Sequence, residues 1–288
     1  MQPTRKYAGL SPSSLSLYCS CPRKFYLKKI LKAKPDPGVD EDTEALRVGS
    51  AFHKVLEDTR HDLTGLKYQT VADVAAEHDL EADDWAPMLF AMLGKYRVMH
   101  ERAGLKVLAC ETTIDLPEFF GIVDVVLGDD AGGWWIGDMK TAAGVSATLA
   151  MTLASHLQLA LYVTHRHRLA EKLGLDNSKF LGCRYRLSTK SKMARKKEEL
   201  TADYIKRISK AVRAIDFVLP KEILHTEGAY ESLEAAKAAI TAADKDPTKF
   251  PRNYGNCNSY FRLCEHYSHC HGRPASSAAE GIKIIDSE

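Results

Sequence analysis

The sequence has almost no charge of one sign to spare. Its 288 residues carry 40 Lys plus Arg against 38 Asp plus Glu, a formal net charge of +2. So small an excess gives no global attraction to a polyanion, and any nucleic-acid contact has to come from a local patch. Long apolar runs are missing too. The longest stretch free of Asp, Glu, Lys and Arg, residues 141–165, is interrupted by Gly144, Ser146, Thr148, Thr152, Ser155, His156 and Gln158. It reads as a buried helix of a soluble domain, with no membrane span expected. No apolar segment follows Arg5 and Lys6, so an export signal is not expected, and the expected compartment is a reducing cytoplasm. No Gly-x-x-x-x-Gly-Lys-Ser/Thr loop is present, so ATP-driven unwinding is not expected of this chain itself. Seven cysteines are too few for a disulfide scaffold, and their odd number leaves at least one unpaired. In a reducing compartment they are expected as core residues, metal ligands or catalysts.

What is there is ordinary globular material, 45% hydrophobic and 27% charged, enough for one large domain or two small ones. Ser11-Pro12 opens a helix with Ser11 as its cap. Cys21 interrupts it, because a residue before proline avoids the helical region. Pro22 starts a second helix over 23–31, which leaves Cys21 at a helix N-terminus. A Pro/Gly/acidic loop is predicted over 34–42, and helices over 44–60, 71–78 and 85–102. Short β-rich segments at 107–116, 119–127 and 134–139 are separated by turn signals such as Asp129 to Gly133. Beyond them the pattern predicts a helix over 149–173, a strand over 180–187, and helices over 202–219 and 230–243. Residues 251–272 read as irregular, and 273–288 as a fraying tail. The sum is an α/β core with a helical surround.

Two of the strands carry acids where acids are costly. Asp124 sits inside the apolar segment Gly121-Ile122-Val123-Asp124-Val125-Val126, and the next strand ends in Asp138-Met139-Lys140. Alternation puts Asp138 and Lys140 on one face, and a hairpin would bring Asp124 beside Asp138. Two carboxylates that close repel unless a cation sits between them, a task suited to Mg²⁺ or Mn²⁺. Lys140 would then orient a water or stabilise developing charge. On these residues alone, an edge-strand aspartate and an ordinary Asp/Lys pair explain the pattern equally well. His53 lies on a predicted helix one turn from Glu57, where a satisfied surface histidine is the simpler reading. Gln158 and Tyr162 share a helix face, equally compatible with a half-buried polar pair.

Taken in order, the residues read Gly49-x-x-x-His53, Gly121-x-x-Asp124, Asp138-x-Lys140-Thr141 and Gln158-x-x-x-Tyr162. This series resembles the PD-(D/E)XK nuclease superfamily, and within it the RecB-like exonuclease branch that includes the CRISPR-associated spacer-acquisition nuclease and phage exonucleases. The opening, Leu10-Ser11-Pro12-Ser13-Ser14-Leu15 with Tyr18 and Cys21-Pro22-Arg23-Lys24-Phe25-Tyr26-Leu27, is similar as well. Val123 stands where the superfamily's name has proline. The resemblance runs from about Leu10 to Cys270. It implies a restriction-endonuclease-like core of a mixed central sheet flanked by helices, with helical N-terminal and Cys-cluster C-terminal elements. It implies one nuclease domain over 1–272: 1–34 and 250–272 as a clamp, 35–104 as a helical insert and 105–249 as the catalytic core. By the same resemblance His53, Asp124, Asp138 and the Met139 carbonyl are metal ligands, Lys140 is the catalytic lysine, and Gln158 and Tyr162 position the lysine, the water or a phosphate.

Cys257, Cys264 and Cys270 lie close together, and three thiols need a fourth donor. In relatives with iron–sulfur clusters that donor is the cysteine before the N-terminal proline, here Cys21, and the resemblance implies a [4Fe–4S] cluster holding the two ends of the chain together. The six residues between Cys257 and Cys264 exceed the two of the commoner family pattern, whereas the five between Cys264 and Cys270 match it. Zinc held by three thiolates and one of His266, His269 or His271 is the alternative, as is plain burial of free cysteine. Cys19 is expected to point elsewhere, and Cys110 and Cys183 to lie in strands.

Arg184, Arg186, Lys190, Lys192, Arg195, Lys196 and Lys197 form a basic run without an acid. It reads either as a DNA-backbone contact, to which Tyr185 could add base stacking, or as a solvated loop. A second run is Arg23, Lys24, Lys28, Lys29, Lys32 and Lys34. The expected activity is metal-dependent DNA exonuclease, on single strands or ends, with a helicase or recombination partner possible. A non-catalytic DNA-binding or assembly module serving recombination or spacer acquisition is the alternative. A sequence-specific restriction enzyme is the weaker third, since no separate recognition domain is apparent.

Overall fold

The computed structural model describes residues 9–36, 43–146, 148–259 and 262–271. Residues 1–8, positions 37–42 of the expected loop, Gly272 and the expected tail 273–288 lie outside the described residues. In chain order the elements are α1 (Pro12–Ser20), α2 (Pro22–Phe25), α3 (Glu44–Asp58), α4 (Tyr68–Glu77), α5 (Ala82–Ala103), β1 (Lys106–Asp115), β2 (Phe120–Gly128) and β3 (Trp134–Ala142). They continue as α6 (Leu149–Thr152), α7 (Leu157–Thr164), α8 (Arg166–Leu173), β4 (Phe180–Thr189), α9 (Thr201–Ile208), β5 (Ala214–Pro220), α10 (Thr226–Ala243), β6 (Asn258–Ser259), β7 (Arg262–Leu263) and α11 (Tyr267–His271). Among the described residues no helix is long and apolar enough to cross a membrane. The chain forms two units, one drawn from Met1–Gly9 and Asp42–Tyr230, the other from Leu10–Glu41 and Glu231–Glu288.

The first unit is built on a five-stranded sheet in the order β1-β2-β3-β4-β5. The β3–β4 pair is parallel and the other three are antiparallel, so the sheet is mixed, as expected. β4 is buried along nearly its whole length, the burial typical of a strand covered on both faces. α3 buries Val48, Ala51, Phe52, Val55 and Leu56, a spacing of three and four that keeps one helical stripe in the core. These side chains join Leu89, Met92, Leu93 and Tyr96 of α5, Val125 and Leu127 of β2 and Met139 of β3 in one apolar cluster. His53, on the same helix as the stripe, is carried toward β3, on which α3 packs.

Two expected helices are corrected. The span 149–173 is broken into α6, a 3₁₀ turn over Leu153–Ser155, α7 and α8, with His156 extended at φ −71° and ψ 110°. Thr152 Oγ1 donates to the Leu149 carbonyl at 2.9 Å and Ser155 Oγ to that of Thr152 at 3.2 Å, the local bonding by which short hydroxyl side chains compete with helix continuation. The span 202–219 is helical only in α9, and its second half is β5. A short run such as Ala-Ile-Asp-Phe-Val-Leu fits either period, and β4 supplies the hydrogen-bonding edge that decides it. The span 23–31 stays helical, α2 widening into a π-helix over Tyr26–Ile30.

The second unit joins residues from both ends of the chain. Ser11 caps α1 by accepting from the Ser14 amide at 3.1 Å, and Cys21, extended at φ −159°, ends it before Pro22. Phe25, Tyr26 and Leu27 pack with Ile240, Ala243, Phe250 and Cys270. The Arg23 amide donates to the Pro251 carbonyl at 3.1 Å and the Asp36 amide to that of Glu265 at 2.6 Å. Lys24 reaches Glu265 at 2.5 Å, and Asp36 accepts from the Ser268 amide at 2.7 Å.

Candidate active site

The β2–β3 ladder runs from Gly128↔Trp134 to Val125↔Gly137. One position further on, where Asp124 and Asp138 would face each other, the backbone pairing ends. There Asp124 Oδ2 accepts the Met139 amide at 2.7 Å, so a side chain takes the donor that a ladder would have used. β3 remains paired with β4 through Asp138↔Tyr185, Met139↔Arg186 and Lys140↔Leu187, which fixes Asp138 and Lys140 while the hairpin opens.

Asp138 is fully buried. Its Oδ1 accepts from Lys140 Nζ at 2.9 Å and from Gln158 Nε2 at 2.9 Å. Its Oδ2 is buried with no hydrogen-bond partner. Gln158 also donates to Tyr162 Oη at 3.1 Å, and Tyr162 donates to the Ile122 carbonyl at 2.5 Å. α7 is thereby tied both to Asp138 and to β2. The Tyr162 ring lies over Gly121, where an added Cβ would fall 2.7 Å from Cε1, so glycine is what lets ring and strand approach. The sequence-expected residues Asp124, Asp138, Met139, Lys140, Gln158 and Tyr162 are thus gathered at one place. His53 joins them through a hydrogen bond to the Met139 backbone.

Burial pushes the carboxyls of Asp124 and Asp138 above the ordinary carboxylate range, with Lys140 pulling against it. Burial also opposes the charge of Lys140, but Asp138 and Asp124 beside it outweigh burial and hold it above the ordinary lysine range. Burial, and then Lys140, lower His53 and favour the neutral imidazole that a metal ion requires. Tyr162 is pushed up, mainly by burial.

Glu111 is a residue that the sequence did not single out. It lies in β1 between the ladder pairs Cys110↔Val125 and Thr112↔Val123, and so faces Asp124. Its φ is +44°, a left-handed conformation that costs a non-glycine residue about 1 kcal/mol. Burial, then Asp124 and Glu57, raise its carboxyl from 4.5 to about 7. Donor atoms of His53, Glu111 and Asp124 all lie within 4.8 Å of one another. The rule that marked Asp124, an acid inside an apolar strand, would have marked Glu111 had the β1–β2 register been known.

The basic run divides. Arg184 and Arg186 turn to Asp216 of β5: Arg184 forks onto it at 3.0 and 2.8 Å, and Arg186 Nε donates at 3.2 Å. Arg186 is fully buried, and its Nη1 lies 3.1 Å from Tyr96 Oη and 3.0 Å from His100 Nδ1. The expectation that Arg186 contacts DNA is corrected, because a guanidinium enclosed in the fold has no face to offer a phosphate. Tyr185 is also buried, which removes it as a stacking platform. Lys190 donates to the Ala45 carbonyl at 2.7 Å, and Arg195 to the Glu199 carbonyl at 3.0 and 2.9 Å. Lys192, Lys196 and Lys197 are exposed on the loop after β4.

In the second unit Cys21, Cys257, Cys264 and Cys270 line one small cavity, together with Lys24, His266 and His271. All seven cysteines are free. Burial, then the charges of Cys270 and Cys21, push the Cys257 thiol up, and burial does the same to Cys264. Cys257 Sγ is 3.6 Å from His271 Nε2. Cys19 is exposed, whereas Cys110 and Cys183 lie in β1 and β4.

Two carboxylates, a lysine and a histidine at the open end of a hairpin in a mixed sheet are suited to phosphodiester hydrolysis. The chain belongs to the PD-(D/E)XK nuclease superfamily, whose sequence profile matches residues 9–271. Its mixed sheet with flanking helices is accordingly a restriction-endonuclease-like α/β fold. No curated protein matches the sequence. Among solved structures, one titled "Crystal structure of SSO0001" is similar over 66% of this chain and 84% of its own, at 12% identity and a TM-score of 0.22. That likeness is too slight to carry weight.

Proposed function

We propose that this chain is a divalent-metal-dependent DNA exonuclease of the RecB-like branch, acting on single strands or free ends. The observation that carries the reading is the pairing of Asp124 with the Met139 amide beside an Asp138 held by Lys140 and Gln158. The residues fit a metal ion. The buried Oδ2 of Asp138 lacks a partner, an arrangement costly in the fold unless something occupies it. His53, Asp124, Asp138 and the Met139 carbonyl would hold the ion, a mix of oxygen donors and one imidazole. Bound Mg²⁺ or Mn²⁺ would acidify water and neutralise charge on the phosphodiester.

The chain's own groups supply the rest. Lys140, hydrogen-bonded to Asp138 and beside Asp124, would orient the water and stabilise the phosphoryl oxygens. Gln158 and Tyr162 fix the Asp138 carboxylate. Lys192, Lys196 and Lys197 are the exposed charges available for sequence-independent backbone contacts. Without a phosphate-binding loop for ATP, duplex substrates would need a helicase or recombination partner to open them. A reducing cytoplasm is the fitting compartment for seven free thiols. The test is end-labelled linear single-stranded DNA beside the closed circular form. The expected result is stepwise release of label in Mg²⁺ or Mn²⁺, none in EDTA, and little attack on the circle. Cleavage of the circle at the linear rate contradicts the exonuclease mode.

We also propose that Cys21, Cys257, Cys264 and Cys270 bind a [4Fe–4S] cluster, supported by their sharing one cavity. His266 and His271 at the same cavity make zinc the competing occupant. Anaerobic purification with iron, sulfide and zinc analysis decides between them. About four irons per chain are expected, and one zinc without iron contradicts the cluster.

A further inference from the structure

We infer that Glu111 is itself a metal ligand, and that with His53 and Asp124 it makes this site selective for Mn²⁺ over Mg²⁺. The inference rests on the nuclease reading only for the presence of a divalent ion.

The three donors come from three elements, α3, β1 and β2, and lie within 4.8 Å of one another. Ligands at about 2.1 Å from one octahedral ion sit no more than about 4 Å apart, so a small side-chain adjustment closes the set. Asp138 does not belong to this tight group, since its Oδ1 is committed to Lys140 and Gln158. The charges that raise the Glu111 carboxyl are acids, Asp124 and Glu57, and no hydrogen bond or ion pair to its carboxylate is present among the described residues. The fully buried, unpartnered Asp138 Oδ2 is a second acceptor without a donor beside the same Asp124. A cation answers both vacancies in hydrogen bonding.

The chemistry of the set names the ion. Mg²⁺ dehydrates reluctantly, keeps several waters and is usually bound through one or two carboxylates. Imidazole is a softer donor, and a site of one imidazole with two or three carboxylates suits a first-row ion better. Glu111 sharpens that preference by adding a third carboxylate, which leaves fewer positions for the waters that Mg²⁺ gives up reluctantly; without it a position returns to water, as Mg²⁺ prefers.

The test is Mn²⁺ titration of the full-length chain, freed of divalent ions by EDTA, with binding read from loss of the free-ion EPR signal and Mg²⁺ added as competitor. Wild type is expected to need about a tenfold or greater excess of Mg²⁺ to release half its Mn²⁺, the scale on which ligand surroundings alter metal affinity. In Glu111→Gln the Mn²⁺ dissociation constant is expected to rise about tenfold or more, with Mg²⁺ competing near parity. The EDTA-treated variant is expected to melt no lower than wild type, because a negative charge has been removed from between Asp124 and Glu57. Equal Mn²⁺ affinity in wild type and variant overturns the inference. So does Mg²⁺ parity in wild type, which decides the matter even if the variant does not fold. A wild type that binds Mn²⁺ through Glu111 yet cleaves no DNA overturns the nuclease reading and leaves this one standing. DNA cleavage with unchanged Mn²⁺ binding in the variant does the reverse.

Discussion

Glu111 and Asp138 are each held where a charged carboxylate is unwelcome, and the consequence is measurable in the pH dependence of stability. Glu111 has its carboxyl raised from 4.5 to about 7, first by burial and then by Asp124 and Glu57. The folded chain therefore binds this proton more tightly than the unfolded chain does. The stability it contributes is fully present below pH 4.5 and is lost as pH rises through about 7. Without divalent ions the melting temperature of wild type should fall over that window, and the fall should be smaller in Glu111→Gln. Identical pH profiles would show that Glu111 is not the source. At this scale the sequence was informative where a motif held several residues in fixed order: Asp124, Asp138, Lys140, Gln158 and Tyr162 all meet. It was uninformative where position depends on pairing. Glu111 becomes visible only through the β1–β2 register, and Arg186 looks like any other member of a basic run until β5 supplies Asp216.

At the scale of elements, β5 matters most among the features that sequence periodicity misread. It places Asp216 between Arg184 and the fully buried Arg186. Removing one partner of a buried ion pair leaves an uncompensated charge, at a cost of about 3 kcal/mol or more. Asp216→Ala is expected to lower unfolding free energy by that amount in denaturant titration, with the folded fraction retaining its metal dependence. A loss under about 0.5 kcal/mol, the usual size of a surface substitution, would mean that the arginines find other partners. The strands β1 to β4 were legible because apolar alternation and turn signals coincide there. The interruption at His156 was not, because Thr152 and Ser155 break the helix through local bonds that no hydrophobic period records.

On the scale of the whole molecule, both chain ends contribute to the second unit, and one cavity collects cysteines that lie more than two hundred residues apart in sequence. If a cluster fills it, Cys257→Ser should lose iron and lower the melting temperature of the chain, whereas Cys19→Ser, at an exposed thiol, should do neither. Equal iron content in the two variants would remove Cys257 from the ligand set. The claim that organises the whole account is that Asp138 and Lys140 carry out phosphodiester hydrolysis. It is tested most directly by single-turnover degradation of labelled single-stranded DNA in Mn²⁺ by wild type, Asp138→Ala and Lys140→Ala, each checked for folding by its melting profile. The account predicts cleavage by wild type and a loss on the order of 100-fold or more in both variants. Cleavage by either variant at the wild-type rate, or binding of DNA by wild type without cleavage in Mn²⁺ or Mg²⁺, would contradict it.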